Sequence, residues 1–325
     1  MAVYTNLGAE DLARLIEQFD VGTLTSAKGI AEGVSNSNWL IETTGKDGSG
    51  ARFILTMYEF RIDITELPFF LGLLDHLAAK GCPVPATIHD RAGQSWRMMG
   101  DKALALIEFL PGVSVSAPTA DQARAVGAAL AQMHLAAADF AGTRANGMGP
   151  EEWQRLLDEC GHDGLAAIDA GLAPLVTREL AALNASWPGD LPRGTIHADL
   201  FPDNVLMLGT SVTGLIDFYF ACTDMLAYDV AVTHAAWCFD ASGRNFDADV
   251  SGALLEGYES VRPLLAQERA AMPLLARGAA LRFLMTRAWD WLNTPADALV
   301  TRKDPLAFAR RLEFYADPAN AALFL

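Results

Sequence analysis

The spacing of hydrophobic positions changes along the chain, and each spacing predicts a different kind of element. Near the start, apolar side chains follow the i, i+3, i+4, i+7 spacing of an amphipathic helix over residues 8–19: Leu12, Leu15, Ile16 and Phe19. Short runs rich in β-branched and aromatic residues follow, separated by turn residues. They predict strands at 23–31, 38–44, 51–58, 86–89, 95–99 and 103–109. A second helix is predicted at 64–80, because Gly81 and then Pro83 form a stop signal after it.

The pattern changes again at Pro111-Gly112. From about residue 118 onward, helical patterns rich in alanine and leucine dominate, interrupted by glycine, proline and one short predicted hairpin. The order of elements predicts an α+β protein with two lobes. We expect residues 1–110 to form a small antiparallel-sheet lobe and residues 111–325 a mostly helical lobe. A chain of 325 residues is also long for a single compact core.

Composition narrows the classes of partner and compartment. Hydrophobic residues make up 51% of the chain and charged residues 20%, so a sizeable core is available. The net charge of −16 argues against nucleic acid or an anionic membrane surface as a partner. The four cysteines contain no C-x-x-C pair, and neither a secretory signal nor an apolar stretch of roughly 20 residues is visible. We therefore expect a cytoplasmic protein that acts on small molecules; its oligomeric state is not predicted.

The candidate chemistry lies in one stretch, H-A-D-L-F-P-D-N at residues 197–204, followed by Asp217-Phe218. The order H-x-D-L-x-x-x-N and then D-F is typical of a kinase catalytic loop and its metal-binding aspartate. Phosphoryl transfer needs a carboxylate that orients and deprotonates a hydroxyl, and oxygen ligands that hold Mg²⁺ against a triphosphate. The pattern predicts Asp199 as the base and Asn204 and Asp217 as metal ligands, with ATP and Mg²⁺ as cofactors.

The residues after the loop support this interpretation. Two short apolar runs, 205–208 and 212–216, are joined at Gly209-Thr210 and predict a hairpin. Such a hairpin would bring Asn204 and Asp217 to the same end. The alternative is a polar loop whose Asp and Asn residues only cap turns. The second motif at the expected distance favours the catalytic interpretation.

A glycine-containing segment between the first two strands is a candidate phosphate loop. Backbone N–H groups around Gly33 and Val34 could approach phosphates, and Ser35, Asn36 and Ser37 add donors. The segment is neither G-x-G-x-x-G nor a Walker A sequence, and an ordinary hairpin connection is the alternative. Its position ahead of the catalytic stretch favours phosphate binding.

The third strand lacks an expected cation. In kinases this strand carries a lysine that pairs with the α- and β-phosphates, but the position here is Thr56. A neutral hydroxyl cannot replace that charge. Arg61, shortly after the strand, is a candidate substitute, although it could instead form an exposed pair with Glu66. Magnesium could also carry more of the phosphate charge.

These motifs, with D-M-L-A-Y-D at 224–229, resemble those of the aminoglycoside phosphotransferase and choline kinase group of small-molecule kinases. Within that group the chain resembles the bacterial homoserine kinases, and the likeness covers nearly the whole chain. Further stretches that carry it are 28–39, 53–59, 286–295 and 303–305. Thr56 is itself typical of these enzymes. The resemblance implies a two-lobed protein-kinase-like fold and ATP-dependent phosphorylation of the L-homoserine hydroxyl, a step towards threonine.

The resemblance also implies where the substrates bind. The adenine would lie against the backbone of Glu108, Phe109 and Leu110, which are assigned by position alone. Homoserine carries an α-carboxylate, and Arg282 and Arg287 are candidate partners for it. Either arginine could instead form a surface or interlobe salt bridge.

Two further residues are predicted to support the loop. Asp229 is expected to brace it. His197 is expected to fix it through hydrogen bonds and not to transfer protons, because Asp199 already fills that role.

Other functions stay open at this point. The short run from Asp217 to the next helix leaves no room for a peptide-binding activation loop, which favours a small-molecule acceptor. That acceptor could be another small amino alcohol or an aminoglycoside, whose positive charge would suit an acidic protein. A catalytically inactive nucleotide-binding module is the third possibility. The missing strand lysine motivates it, and the intact Asp199, Asn204 and Asp217 weigh against it.

Overall fold

The computed structural model describes residues 7–30, 36–59, 63–294 and 302–324. The chain divides into two compact units, Met1–Pro111 and Gly112–Leu325. The first unit contains an antiparallel sheet and the second is mostly helical. The predicted α+β fold with a sheet lobe and a helical lobe is confirmed.

The first unit is built on a six-stranded sheet. Its elements in chain order are α1 Ala9–Ile16, β1 Thr23–Ile30, β2 Asn36–Thr44, β3 Gly50–Tyr58, α2 Leu67–Ala79, β4 Thr87–Ile88, β5 Arg97–Met99 and β6 Lys102–Glu108. The sheet order is β1-β2-β3-β6-β4, with β5 paired to β6, and all pairs are antiparallel. These elements confirm the strands and helices predicted for this part of the chain, with ends shifted by at most three residues.

The apolar stripe of α1 packs against one face of this sheet. Leu12 and Ile16 belong to the same buried cluster as Trp39 and Ile41 of β2 and Leu55 of β3. The two β2 residues are spaced by two, so both point to the same face of the sheet. Each of these side chains contributes about 1.5–3 kcal/mol when it is fully removed from water.

The second unit is helical except for two short strand pairs. Its elements are α3 Ala120–Ala136, α4 Pro150–Ile168, α5 Leu172–Ser186, β7 Arg193–Ile196, β8 Val205–Leu208, β9 Ser211–Leu215, β10 Cys222–Met225, α6 Leu226–Trp237, α7 Ala248–Glu259, α8 Ala266–Asn293 and α9 Leu306–Ala316. The predicted hairpin is observed as the antiparallel pair β8–β9. The pairing of β7 with β10 was not predicted, because the two strands are only four residues long and lie far apart in sequence.

Helix α6 is the centre of this unit. Every residue from Ala227 to Trp237 is buried, so the helix shows no polar stripe and must be surrounded by other elements. Helices α3 and α7 approach each other closely at two glycines. A Cβ atom added at Gly127 would lie 2.1 Å from the Leu254 carbonyl oxygen, and one at Gly257 would lie 2.0 Å from that of Arg124. Close packing of these helices therefore requires glycine at both positions.

Among the helices of the described residues, none combines the length and the apolar character needed to cross a membrane.

Acidification is expected to destabilise the second unit through His234 of α6. This histidine is fully buried between the hydroxyls of Tyr315 (2.6 Å) and Ser251 (2.8 Å), and burial lowers its pKa to about 3. Below pH 6.5 the unfolded chain takes up the proton first, so stability that is present above that pH is lost as the pH falls towards 3. The slope can reach about 1.4 kcal/mol per pH unit. Urea unfolding at pH 7, 6, 5 and 4 measures it.

Two variants isolate the contribution of His234. His234→Gln keeps a hydrogen-bonding side chain but removes the titration, so its free energy of unfolding should fall less steeply with pH. His162→Gln changes an exposed histidine and should keep the original slope. An identical pH slope in His234→Gln and the unchanged protein would contradict the assignment.

Candidate active site

The predicted catalytic loop runs from the end of β7 to the start of β8. Ala198 adopts φ 63°, a left-handed conformation that is rare for a residue with a Cβ atom. A 3₁₀ turn over Pro202–Asn204 then leads into β8. Asn204 Nδ2 donates to the backbone oxygen of Asp199 at 2.7 Å and to its Oδ2 at 3.2 Å. The predicted base and the first predicted metal ligand are therefore in direct contact.

The hairpin brings the second predicted ligand to the same place. Val205 is paired with Leu215, and the Ile216 N–H donates to the Asn204 carbonyl at 3.0 Å. Asp217 follows directly, with φ 64°. The structure thus places Asp217 at the end of the hairpin where Asn204 lies, as the sequence predicted.

The electrostatics of these carboxylates favour a cation. Burial raises the pKa of Asp199 to about 7, although the charge of Arg282 opposes the rise. Asp217 keeps an exposed surface, but the protein atoms around its carboxylate and the charge of Asp203 raise its pKa to about 6. Both shifts mean that negative charge is costly here without a counter-ion, and a bound divalent cation would reverse them.

The donor set fits Mg²⁺. Asn204 uses its amide nitrogen for Asp199, which leaves the amide oxygen as the group available to a metal. Asp217 supplies a carboxylate at the same end of the hairpin. Mg²⁺ is commonly bound by one or two protein oxygens together with substrate phosphates.

Asp229 of α6 holds the backbone of the loop. Its two carboxylate oxygens accept the N–H groups of His197 and Ala198, each at 2.7 Å. His134 of α3 donates to the same carboxylate at 3.0 Å. Burial acts to raise the pKa of Asp229, but these hydrogen bonds and the nearby histidines outweigh it and keep the pKa below its usual value. The structure places Asp229 as a brace, in agreement with the prediction; the contact with His134 was not predicted.

His197 links the loop to the hairpin. Its Nε2 lies 2.9 Å from the carbonyl of Ile216, and its Nδ1 accepts the N–H of Asp199 at 3.2 Å. This pair of contacts requires the neutral ring with its proton on Nε2, and burial lowers the pKa of His197 in agreement. The ring centroid also lies 4.4 Å from that of Phe218. The histidine is therefore held in a structural role.

The two arginines predicted to meet a substrate carboxylate lie in different surroundings. Arg282 is 1% exposed and donates through Nη1 to the Ala198 carbonyl, so its burial weighs against contact with a substrate. Arg287 is partly exposed, lies 4.5 Å above the Phe308 ring and donates to the Asp304 carbonyl at 3.3 Å. Burial, and then the charge of Arg311, lower the pKa of Arg287 to about 10.

Lys303 adds a positive charge that the sequence did not single out as a site residue. Its Nζ lies 3.5 Å from Asp203 Oδ2 and 5.8 Å from the Phe201 ring centroid. Its charge acts to lower the pKa values of Asp199 and Asp217. The stretch 303–305 carried part of the family resemblance, but nothing in it assigned Lys303 to the site, because the lysine is about a hundred residues away from the loop in the sequence.

The predicted nucleotide-binding residues of the first unit are only partly described. Gly33, Val34, Ser35 and Arg61 lie outside the described residues, and their roles stay predictions. The described ones are Asn36 and Ser37 at the start of β2, Glu108 at the end of β6 and Leu110 just beyond it.

The structure shows what surrounds the described part of the predicted phosphate loop. Ser37 donates to Glu59 Oε1 at 2.6 Å, and Lys102 forms an ion pair with the same carboxylate. Thr56, which stands where kinases have lysine, is buried and donates to Asn38 Oδ1 at 2.9 Å. The position is therefore part of a neutral cross-strand pair.

A sheet unit, a helical unit and a loop that places the predicted base beside the predicted metal ligands are the features of a phosphotransferase of the kinase class. The profile of the phosphotransferase enzyme family matches residues 26–264. A solved amicoumacin kinase, in complex with AMP-PNP and Ca²⁺, has the same fold, with a TM-score of 0.71 and 15% identity over 96% of this chain and 94% of that one.

Curated relatives are much closer in sequence. A homoserine kinase from Acidiphilium cryptum is 51% identical over 99% of both chains, and one from Gluconobacter oxydans is 50% identical over 97% of this chain and 98% of the other. The chain belongs to the phosphotransferase enzyme family, within its homoserine kinases. The resemblance inferred from the motifs is confirmed.

Proposed function

We propose that this enzyme transfers the γ-phosphoryl group of ATP to the hydroxyl of L-homoserine, giving O-phospho-L-homoserine and ADP. The observation that carries the proposal is the Asp199–Asn204–Asp217 constellation in a chain that is half identical to homoserine kinases along its whole length. This reaction would be a step in the synthesis of threonine.

Asp199 acts as the base in this reaction. Its carboxylate accepts the proton of the homoserine hydroxyl while that oxygen attacks the γ-phosphorus and the bond from this phosphorus to the ADP oxygen breaks. The pKa of about 7 belongs to the site without a cation; bound Mg²⁺ would lower it and keep the carboxylate ionised, ready to accept the proton at neutral pH. Asn204 orients the carboxylate through its amide nitrogen.

Asn204 and Asp217 are the proposed magnesium ligands. The ion, when bound, supplies positive charge against the phosphates and the developing negative charge of the transferred group. The amide oxygen of Asn204 and the carboxylate of Asp217 would hold it. In the first unit, we propose that the segment from Gly33 to Ser37 and the backbone of Glu108 and Leu110 bind the nucleotide, with Arg61 as the candidate cation for its phosphates.

Arg287 is the better of the two proposed partners for the α-carboxylate of homoserine. It is partly exposed, and a pKa of about 10 leaves it charged at neutral pH. One of its nitrogens is used by the Asp304 carbonyl, so the guanidinium keeps further N–H donors for a ligand.

ADP release with Mg-ATP and a panel of acceptors tests the substrate. We expect homoserine to exceed choline, methylthioribose and an aminoglycoside by at least about 100-fold in kcat/KM, because pockets that pair both charges of an amino acid reject analogues that lack them. Faster turnover of choline or an aminoglycoside would still support a kinase but would contradict homoserine as the substrate. ATP binding without turnover of any acceptor would favour an inactive nucleotide-binding module.

A further inference from the structure

The residue before the base has an unfavourable backbone conformation. Ala198 adopts φ 63°, which costs roughly 1–2 kcal/mol for a residue with a Cβ atom, and alanine has no polar side chain to offset it. The surrounding structure must therefore hold this conformation. The peptide that joins Ala198 to Asp199 sets the direction in which the base leaves the backbone.

The N–H side of this residue is held by a buried anion. Asp229 Oδ1 accepts the Ala198 N–H at 2.7 Å, and Oδ2 accepts that of His197 at the same distance. These bonds fix the peptide before Ala198. They leave the peptide after it, which carries the Ala198 carbonyl, to be held by another group.

Arg282 of α8 is that group. Its Nη1 donates to the Ala198 carbonyl, and the guanidinium lies 4.6 Å from the Phe283 ring centroid and 5.4 Å from that of Phe220. The side chain is 1% exposed, and its Nε has no hydrogen-bond partner among the described residues. Within those residues Arg282 forms no salt bridge with a carboxylate.

A buried guanidinium without a carboxylate partner is costly, so the contact that it does make is informative. Its Nη1 is directed at the Ala198 carbonyl, whose carbon is two bonds away from the Cα atom of the predicted base. A charge-assisted hydrogen bond of this kind is stronger than a neutral one. The left-handed residue is thus held between an anion on its N–H and a cation on its C=O.

We propose that Arg282 is a positioning residue for phosphoryl transfer: by holding the Ala198 carbonyl it maintains the left-handed turn and the direction of Asp199. The proposal rests on the proposed function only in that Asp199 is the base. It replaces the prediction that Arg282 binds the substrate carboxylate, because a fully covered guanidinium already bonded to the loop has no surface for a ligand.

Loss of this contact should affect the rate more than binding. Rotation of the Ala198–Asp199 peptide would move the carboxylate away from the attacking hydroxyl, and a displacement of about 1 Å can cost roughly 100-fold in rate. ATP and homoserine binding should change little, because the buried Arg282 side chain has almost no surface for a ligand. Arg282→Met replaces the guanidinium by an uncharged side chain of similar length, whereas Arg282→Lys keeps a positive charge and a hydrogen-bond donor.

Arg311 of α9 offers a matched control. It is 4% exposed and, like Arg282, donates to a backbone carbonyl, that of Asp240 at 2.9 Å. Its Nε also lacks a partner among the described residues. Arg311→Met should therefore cost a similar amount of stability without removing a contact of the Ala198 carbonyl. Because Arg311 lies over the Phe308 ring that Arg287 also contacts, this control is compared in kcat and not in the KM for homoserine.

Steady-state kinetics of these variants tests the proposal. We expect Arg282→Met to lower kcat by about 30- to 100-fold while the KM values for ATP and homoserine stay within about threefold of normal. Arg282→Lys should recover at least about a third of the lost kcat, measured on a logarithmic scale. Arg311→Met should keep kcat within about threefold of normal. A raised homoserine KM at unchanged kcat would overturn the proposal in favour of carboxylate binding. An equal kcat loss in Arg311→Met would overturn it in favour of general destabilisation.

Amide hydrogen exchange provides a readout that does not depend on the acceptor. Exchange in the segment 197–204 should accelerate in Arg282→Met and stay unchanged in Arg311→Met. Unchanged exchange in Arg282→Met would contradict the positioning role of Arg282, even if homoserine is turned over. If exchange is faster in Arg282→Met but the unchanged protein does not turn over homoserine, the result would support the positioning role of Arg282 and refute the proposed substrate. If Arg282→Met fails to fold, the same comparison is made between Arg282→Lys and Arg311→Lys.

Discussion

Replacing Asp199 by asparagine is expected to lower kcat by about 1,000-fold while ATP binding stays nearly unchanged. An amide cannot accept the hydroxyl proton, and a positioned base contributes roughly 100- to 10,000-fold to such reactions. The loss should appear equally in kcat and kcat/KM, because the base acts in the transition state. Stopped-assay kinetics with homoserine and titration of a fluorescent ATP analogue measure the two quantities.

The same variant should not be less stable. Burial raises the pKa of Asp199, which means that the ionised carboxylate destabilises the folded state at neutral pH. Asparagine has nearly the same shape without this charge, so the unfolding midpoint should stay constant or rise. Asp190→Asn, an exposed residue on the turn before β7, should change neither activity nor stability. Residual activity above a tenth of normal in Asp199→Asn would remove Asp199 from the role of base.

Replacing Asp229 by alanine is expected to have the second largest effect, and it should act on both stability and rate. The change leaves the buried N–H groups of His197 and Ala198 without acceptors and removes the acceptor of His134 Nε2. Removal of one member of a buried, hydrogen-bonded charge network typically costs about 3–5 kcal/mol. Urea unfolding should show this loss, and kcat measured below the unfolding transition should fall because the loop loses its brace.

Asp247 is the control for this prediction. It also accepts two backbone N–H groups, those of Asp249 and Val250, but it does so as the exposed N-cap of α7. Asp247→Ala should cost about 1 kcal/mol, the usual value for a lost N-cap, and leave kcat unchanged. A stability loss in Asp229→Ala no greater than that in Asp247→Ala would refute the brace.

The elements that carry the chemistry were predictable because their residues are close in sequence. The loop from His197 to Asn204 and the hairpin before Asp217 form a continuous stretch, and turn residues and strand patterns specify such a stretch locally. All six strands of the first unit were predicted from local patterns as well, and β1, β2 and β3 pair with their neighbours in the chain. The strands β7 and β10 were missed because their sequences, R-G-T-I and C-T-D-M, contain few strand-favouring residues and the two lie far apart in the chain.

The supports of the loop were harder to predict. His134 contacts Asp229 across 95 positions of the chain, and Arg282 contacts Ala198 across 84. Neither contact leaves a periodic signal, because each depends on how whole helices pack. Arg282 was expected to meet a substrate for a sound chemical reason, the preference of guanidinium groups for carboxylates. Its complete burial could be known only from the positions of the surrounding elements.

The sequence by itself determined the reaction class and the order of elements. The aspartates and the asparagine of the loop have few chemical uses at that spacing, and hydrophobic periodicity is a local property of the chain. Only the tertiary structure decided which buried charges hold the loop and which cations remain near enough to the surface for a substrate. Burial and pKa depend on atoms contributed by distant segments, so Arg282 became part of the support of Ala198 while Arg287 kept exposed surface.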